Sequence, residues 1–373
     1  MTGVADLDLA RVLRDPDSAI GASIDVHAYL TAARRHRVLL LLGWRLRESG
    51  ALRRWPAAFV DAFLEEERQA IAVDCIRQHE LTGALAALAD AGANVLVIKG
   101  AATAHSHYPA PHVRVRADTD LLVASADPAI VDRVVTSRGY VRPTETSGQF
   151  VSYQQHYQRP DGRGVTHAFD VHWKISNLQS LADRLDHGEL WQRRVPVPTL
   201  GPAATTVDGA DALLLALLHR AGHHAGSRNL LWLYDLRLLA QSLTDEQRRR
   251  FVDAAIDRGV AGIAVEGLSA ARDCFGGESM DALITALHGR AWRPDDLPVP
   301  AASMTQAAVL GLDLRALPTW RSRVRLLREH TLPPAAYMRA RYGVRSNAWL
   351  PALYLWRVMS GMPKWIARRA PES

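Results

Sequence analysis

The sequence predicts an α+β fold: a short group of strands set in the middle of an otherwise helical chain. Three stretches carry that reading. The apolar run Val95-Leu96-Val97-Ile98 ends in Lys99-Gly100 at the start of a helix. Arg114-Val115-Arg116-Ala117-Asp118-Thr119-Asp120-Leu121-Leu122-Val123 then reads as a loop, holding Arg114 and Arg116, that enters a second, acidic strand, and beyond Val207 the apolar periodicity becomes almost wholly helical.

In chain order, Val26–Glu48 and Ala57–Ala91 read as amphipathic helices, the second with Phe63, Ile71, Leu85 and Leu88 on its apolar stripe. Gly92 is placed to stop the second helix just before the first strand. Asp127-Pro128 opens a short helix that Gly139 ends. Phe150–Gln158 and Gly164–His172 alternate about a Pro160-Asp161-Gly162 turn and predict a hairpin. Helices follow over 208–224, 230–241 and 245–258, the last opened by the capping box Thr244-x-x-Gln247. Residues 290–300, rich in Pro and Asp, read as a linker. The expected division is a helical region over 1–91, a core over 92–207 and a helical domain over 208–373.

Side chains alternate between faces of a strand, so Asp118 and Asp120 point the same way while Leu121 and Val123 reach the core. Two carboxylates held that close need a cation, and oxygen-only ligands favour Mg²⁺ or Mn²⁺ over zinc. A third acid is offered by Phe169-Asp170-Val171-His172-Trp173-Lys174, whose alternation puts Asp170, His172 and Lys174 on one face. The chain takes nearly all its positive charge from arginine and has lysine only at 99, 174 and 364, so a lysine beside each of two motif strands stands out as a compact charge for phosphate. Arg114 and Arg116 serve either triphosphate oxygens or the neighbouring aspartates. Tyr108 reads as a helix-end core residue. His219 and His223 stand one helical turn apart without the glutamate of a metalloprotease helix, so they are expected to face a cleft or the core rather than hold zinc. Asp235 is expected either to position them or to form a helix-surface ion pair.

Taken together, Lys99-Gly100, Tyr108-Pro109, Arg114, Asp118-x-Asp120-Leu121-Leu122-Val123 and Asp170-x-His172-Trp173 resemble the nucleotidyltransferase superfamily, and more narrowly a branch of uncharacterised bacterial nucleotidyltransferases. The likeness covers roughly residues 80–240, with a weaker echo at 326–343. It implies a polymerase-β-like core with a small mixed sheet, flanked by N-terminal helices and a large C-terminal helical domain. It also implies an enzyme that transfers a nucleoside monophosphate from an NTP, with ATP the expected donor, to a small molecule, peptide natural product or sugar by a two-metal mechanism. By that resemblance Asp118, Asp120 and Asp170 are catalytic and metal-binding. Lys99, Gly100, Ala101, Arg114, Arg116, His172 and Lys174 would hold the nucleotide, with Gly100 letting backbone approach the phosphates. The superfamily usually has serine where this chain has Ala101. The alternatives are a phosphotransferase on the same fold or a nucleotide-binding scaffold of a biosynthetic complex.

With 373 residues and 48% hydrophobic content the chain can bury a sizeable interior. The two cysteines lack metal-ligand spacing, and Met1–Asp17 lacks a signal-peptide region, so a reduced cytoplasmic protein is expected. The net charge of +6 comes from arginines scattered among acids without a basic-aromatic module, which argues against a nucleic-acid partner. Asn347–Arg369 carries Trp349, Trp356 and Trp365 among basic residues and is a candidate for weak contact with a membrane surface, although packing on the protein's own helical domain is the plainer reading.

Overall fold

The computed structural model describes residues 4–18, 25–143, 150–290 and 304–366. Helices α1 (Val4–Arg14), α2 (Val26–Arg35) and α3 (Leu39–Glu48) precede the long α4 (Ala57–Asp90). The single helix expected over 26–48 is two, because Arg37 takes a left-handed backbone, φ 57°, and turns the chain between them. Gly92 ends α4 as its sequence suggests: with φ at 81° it lets the Ala93 N–H reach back to the Leu88 carbonyl at 3.0 Å. Ile71 is 42% exposed rather than on a buried stripe. The reason is that α4 packs at its two ends in different interiors, Phe59 and Phe63 in one and Leu81, Leu85 and Leu88 in the other.

The core follows as β1 (Val95–Ile98), α5 (Lys99–His107), β2 (Thr119–Val123), α6 (Pro128–Ser137), β3 (Gln154–Pro160), β4 (Thr166–His172), α7 (His187–Gln192), β5 (Val195–Pro196) and β6 (Thr205–Thr206). The six strands form one mixed sheet in the order β3-β4-β2-β1-β6-β5. β1 runs antiparallel to β2, β2 parallel to β4, and β3 antiparallel to β4 across the expected hairpin. In its turn Asp161 Oδ1 accepts the N–H groups of Arg163 and Val165 at 2.8 and 3.1 Å.

Alternation divides the sheet. Val95, Val97, Leu121, Val123, Phe169 and Val171 face α6 and the end of α4, while Leu96, Ile98 and Leu122 join the larger interior. Against that second face lie α8 (Gly209–His224), α9 (Leu230–Ser242), α10 (Asp245–Asp257), α11 (Ala261–Phe275) and α12 (Glu278–His288). Asp208 caps α8 by accepting the Asp211 N–H at 3.1 Å, and both halves of the Thr244/Gln247 capping box form at α10. Residues of α1, α2 and α3 share this interior with α8–α12, so the helices before and after the sheet pack as one body. Each fully buried leucine there adds about 1.5–3 kcal/mol. The expected linker over 290–300 falls, but for Arg290, outside the described residues. Beyond it, α13 (Gln306–Ala316) and α14 (Trp320–Thr331) frame a small cluster around Leu310, Leu317 and Leu326, against which Phe150 and Val151 pack, while Val309 of α13 joins the larger interior. Then α15 (Ala335–Tyr342) and α16 (Leu350–Ile366) follow, with α16 touching α13, α14 and α15.

Candidate active site

The face of the sheet that meets α8 and α9 opens into a cleft of about 1090 Å³. Its floor is set by strand register. Asp120 on β2 lies directly beside Asp170 on the parallel β4, and on the other side Asp120 pairs with Ile98, the last residue of β1. One residue further on, Lys99 enters α5 with a left-handed backbone, φ 54°, a conformation that costs a β-carbon-bearing residue of order 1 kcal/mol or more. That turn brings its Nζ to 2.7 Å from Asp120 Oδ1 and 3.3 Å from His172 Nε2. His172 Nε2 lies 2.8 Å from the same Oδ1, a distance at which the carboxylate selects the Nε2–H tautomer. Arg37, the other non-glycine with a left-handed backbone at the cleft, lines its opposite wall.

The charges here are strongly coupled. Burial opposes ionisation of Asp120, but the Lys99 ammonium and His172 hold its carboxyl far below the ordinary range. Asp118 sits at the open edge just before β2, and its carboxyl is pushed up by partial enclosure in the cleft and then by the charges of Asp120 and Asp170. Burial and the adjacent lysine push His172 down, keeping it neutral near pH 7. Ligand atoms of Asp120, Asp170 and His172 all lie within 4.8 Å of one another. Two carboxylates and an imidazole nitrogen gathered that closely fit a hard divalent cation, with Asp118 at the mouth able to join them.

His156 supports the floor from the neighbouring strand. It sits on β3 opposite Asp170, and its Nδ1 is 2.6 Å from Asp170 Oδ1. The sequence reading passed over it: counted outward from Pro160-Asp161-Gly162, position 156 would face 166, whereas the turn extends to Val165 and Pro160 pairs with Thr166, which sets 156 opposite 170. Arg37, Arg228 and Trp232 also line the cleft and were not anticipated, because no local motif marks them.

Other expected ligands are engaged elsewhere. Arg114 is 7% exposed and forms a fork with Asp235 on α9, Nε to Oδ1 at 2.9 Å and Nη2 to Oδ2 at 2.6 Å, while the Tyr108 hydroxyl donates to Oδ1 at 2.9 Å. Tyr108 is therefore the expected core tyrosine, and Asp235 serves neither His219 nor His223 but neutralises Arg114. Arg116 is buried against Asp74 of α4 and donates to the Pro111 carbonyl. Both guanidinium groups thus brace the walls of the cleft. A β-carbon on Gly100 would come within 2.4 Å of Arg114 Nη1, so the glycine makes room for that arginine. Ala101 is buried among the apolar residues on the far face of the sheet. Lys174 is the plainest correction: β4 ends at His172, alternation stops there, and the lysine turns away to Asp183 at 2.8 Å and over the Tyr153 ring.

The C-terminal turn of α8 roofs the cleft with His219, His223 and His224. The first two rings stack at 4.8 Å, His219 and His224 approach Nε2 to Nε2 at 3.2 Å, and His224 stacks on Trp232 at 3.8 Å. Burial and then the Lys99 charge drive His223 down to about 3 and His224 to about 4, with His219 also well below the ordinary value. All three are neutral at pH 7. Both His219 and His224 keep a buried Nδ1 with no protein hydrogen-bond partner.

A lysine-glycine turn entering a helix, beside carboxylates in register on paired strands, is the arrangement of an enzyme that handles nucleoside triphosphates, a transferase of the nucleotidyltransferase class. Comparison with known families agrees: a family model described as "uncharacterised nucleotidyltransferase" matches residues 22–276, and the chain belongs to that family. The match takes in the helices before the sheet and the roof of the cleft, but stops short of the weak likeness noted at 326–343. No curated protein matches the chain.

Proposed function

We propose that the protein transfers a nucleoside monophosphate from an NTP to a hydroxyl or similar nucleophile of a small molecule, peptide or sugar, with Asp118, Asp120 and Asp170 holding Mg²⁺ or Mn²⁺. The observation that supports this best is the Asp120–Asp170 register on parallel strands, with Asp118 within electrostatic reach. Bound divalent cations would neutralise the triphosphate and stabilise charge building on its oxygens. The chain's own groups do the rest. The first turn of α5 has no side-chain cap and presents its N–H groups and dipole to phosphate. Lys99 adds a charge that can pass from Asp120 to a phosphate oxygen. Asp170, oriented by His156, takes the proton of the attacking hydroxyl. A bond forms from that oxygen to the α-phosphorus, the bond to the bridging oxygen breaks, and pyrophosphate leaves.

The test is product identity. The protein is incubated with each NTP, Mg²⁺ and panels of sugars, peptides and small alcohols, and products are read by mass spectrometry with a coupled pyrophosphate assay. Pyrophosphate together with a nucleotidylated acceptor, both lost in Asp120→Asn and Asp170→Asn, is the expected result. Release of nucleoside diphosphate with a phosphorylated acceptor would make it a phosphotransferase, and turnover that survives both substitutions would remove the carboxylates from the chemistry.

A further inference from the structure

The last four helices lie outside the family match and contribute no residue to the cleft. Their surface has a different character from the rest of the protein. Between residues 304 and 360 the sequence holds nine arginines, no lysine, and only Asp313 and Glu329 as acids. A net charge of +7 on this stretch exceeds the +6 of the whole chain. Asp313 is used inward, and Glu329 is shared between an inward bond and Arg325 at 3.4 Å. Asp313 Oδ1 accepts the Gln179 N–H at 2.8 Å, and Glu329 Oε2 accepts the Phe150 N–H at 2.8 Å, tying the helices to the segments before and after the hairpin.

Large apolar side chains stand outward on the same helices. On α14, Trp320, Val324 and Leu327 follow the i, i+4, i+7 spacing of a single stripe and are 69%, 53% and 39% exposed. On α16, Leu355 and Trp356 are 64% and 61% exposed, and the two helices touch. Exposed arginines Arg321 and Arg328 run beside the α14 stripe two turns apart, while Arg325 between them pairs with Glu329. Water-exposed tryptophans flanked by arginines that far outnumber the local acids match the chemistry of an anionic bilayer: apolar side chains enter the headgroup boundary while guanidinium groups meet lipid phosphates. No helix among the described residues is long and apolar enough to cross a membrane, so contact would be parallel to the surface.

We infer that α14 and α16 form a peripheral docking face for anionic lipid membranes. The face is separate from the cleft, so the inference does not depend on which transfer the cleft performs.

The experiment is sedimentation of the full chain with vesicles of phosphatidylcholine alone or with about a third phosphatidylserine, combined with tryptophan fluorescence. The expected result is binding to anionic vesicles only, a blue shift, and release by high salt. A variant combining Arg321→Gln, Arg328→Gln and Arg345→Gln, all exposed positions, should bind at least tenfold more weakly, since each arginine near such a surface contributes about 1 kcal/mol. The pair Trp320→Ser and Trp356→Ser should lose the blue shift while circular dichroism stays unchanged. Equal binding to neutral vesicles, or none to anionic ones, would overturn the inference. So would protection of Trp320 and Trp356 by self-association in analytical ultracentrifugation, which would assign the face to a second copy, or preferential binding of a duplex oligonucleotide over vesicles.

Discussion

Replacing Asp235 by alanine tests how the cleft is held in shape. The carboxylate is 6% exposed and accepts the Arg114 fork and the Tyr108 hydroxyl together, so one residue on α9 fixes both the end of α5 and the loop that leads into β2. Its removal leaves a guanidinium of 8% side-chain exposure without its counter-ion. An orphaned buried charge of this kind costs about 3–5 kcal/mol, and the stranded Tyr108 hydroxyl adds about 1–3 kcal/mol unless water reaches it. Asp235→Ala is therefore expected to lose at least about 3 kcal/mol in urea unfolding followed by tryptophan fluorescence. The double variant Arg114→Met with Asp235→Leu replaces the pair by apolar groups of similar volume and should recover most of that loss, because such exchanges are often neutral or stabilising. A loss below about 1 kcal/mol in Asp235→Ala, or a double variant no more stable than the single one, would refute the assignment of the pair as a buried brace.

The same brace predicts that Gly100→Ala loses about 1–3 kcal/mol through overpacking and weakens nucleotide binding by shifting Arg114, since the added carbon meets Nη1 at 2.4 Å; thermal melts and nucleotide titration measure both, and an unchanged melt would count against the contact. Acid should destabilise the fold through the neutral histidines. His223 and His224 are held down to about 3 and 4, whereas the unfolded chain protonates them near 6.5. The unfolded state then binds more protons, so stability is fully present above about pH 6.5 and falls as pH drops toward 3–4. His224→Gln should flatten that decline in denaturation midpoints measured from pH 7 to 4, and an unaltered slope would show that the ring is already protonated in the folded protein.

The floor of the site was legible in the sequence because it depends on local rules. Asp120 and Asp170 follow from strand alternation, whereas Asp118 falls one residue before β2; Gly92 and the Thr244/Gln247 box mark helix ends, and the Pro160-Asp161-Gly162 turn marks the hairpin. The walls were not legible. Arg114 meets Asp235 and Arg116 meets Asp74 across long stretches of chain, and in an arginine-rich sequence nothing local distinguishes a phosphate ligand from a buried brace. Lys174 was misplaced because alternation was carried two residues past the end of β4. His156 escaped because the hairpin's strands were recognised without fixing their register. The roof depends on how α8 and α9 lie over the sheet, and helical periodicity does not determine that packing.

Asp118, Asp120 and Asp170 are proposed to hold a divalent cation together with a nucleotide. Manganese EPR titration of the full chain with a non-hydrolysable NTP measures this without knowledge of the acceptor. Tight Mn²⁺ binding that is strengthened by the nucleotide and abolished by Asp120→Ala or Asp170→Ala, in folded protein, is the expected result. Undiminished nucleotide-linked Mn²⁺ binding in either variant would contradict it.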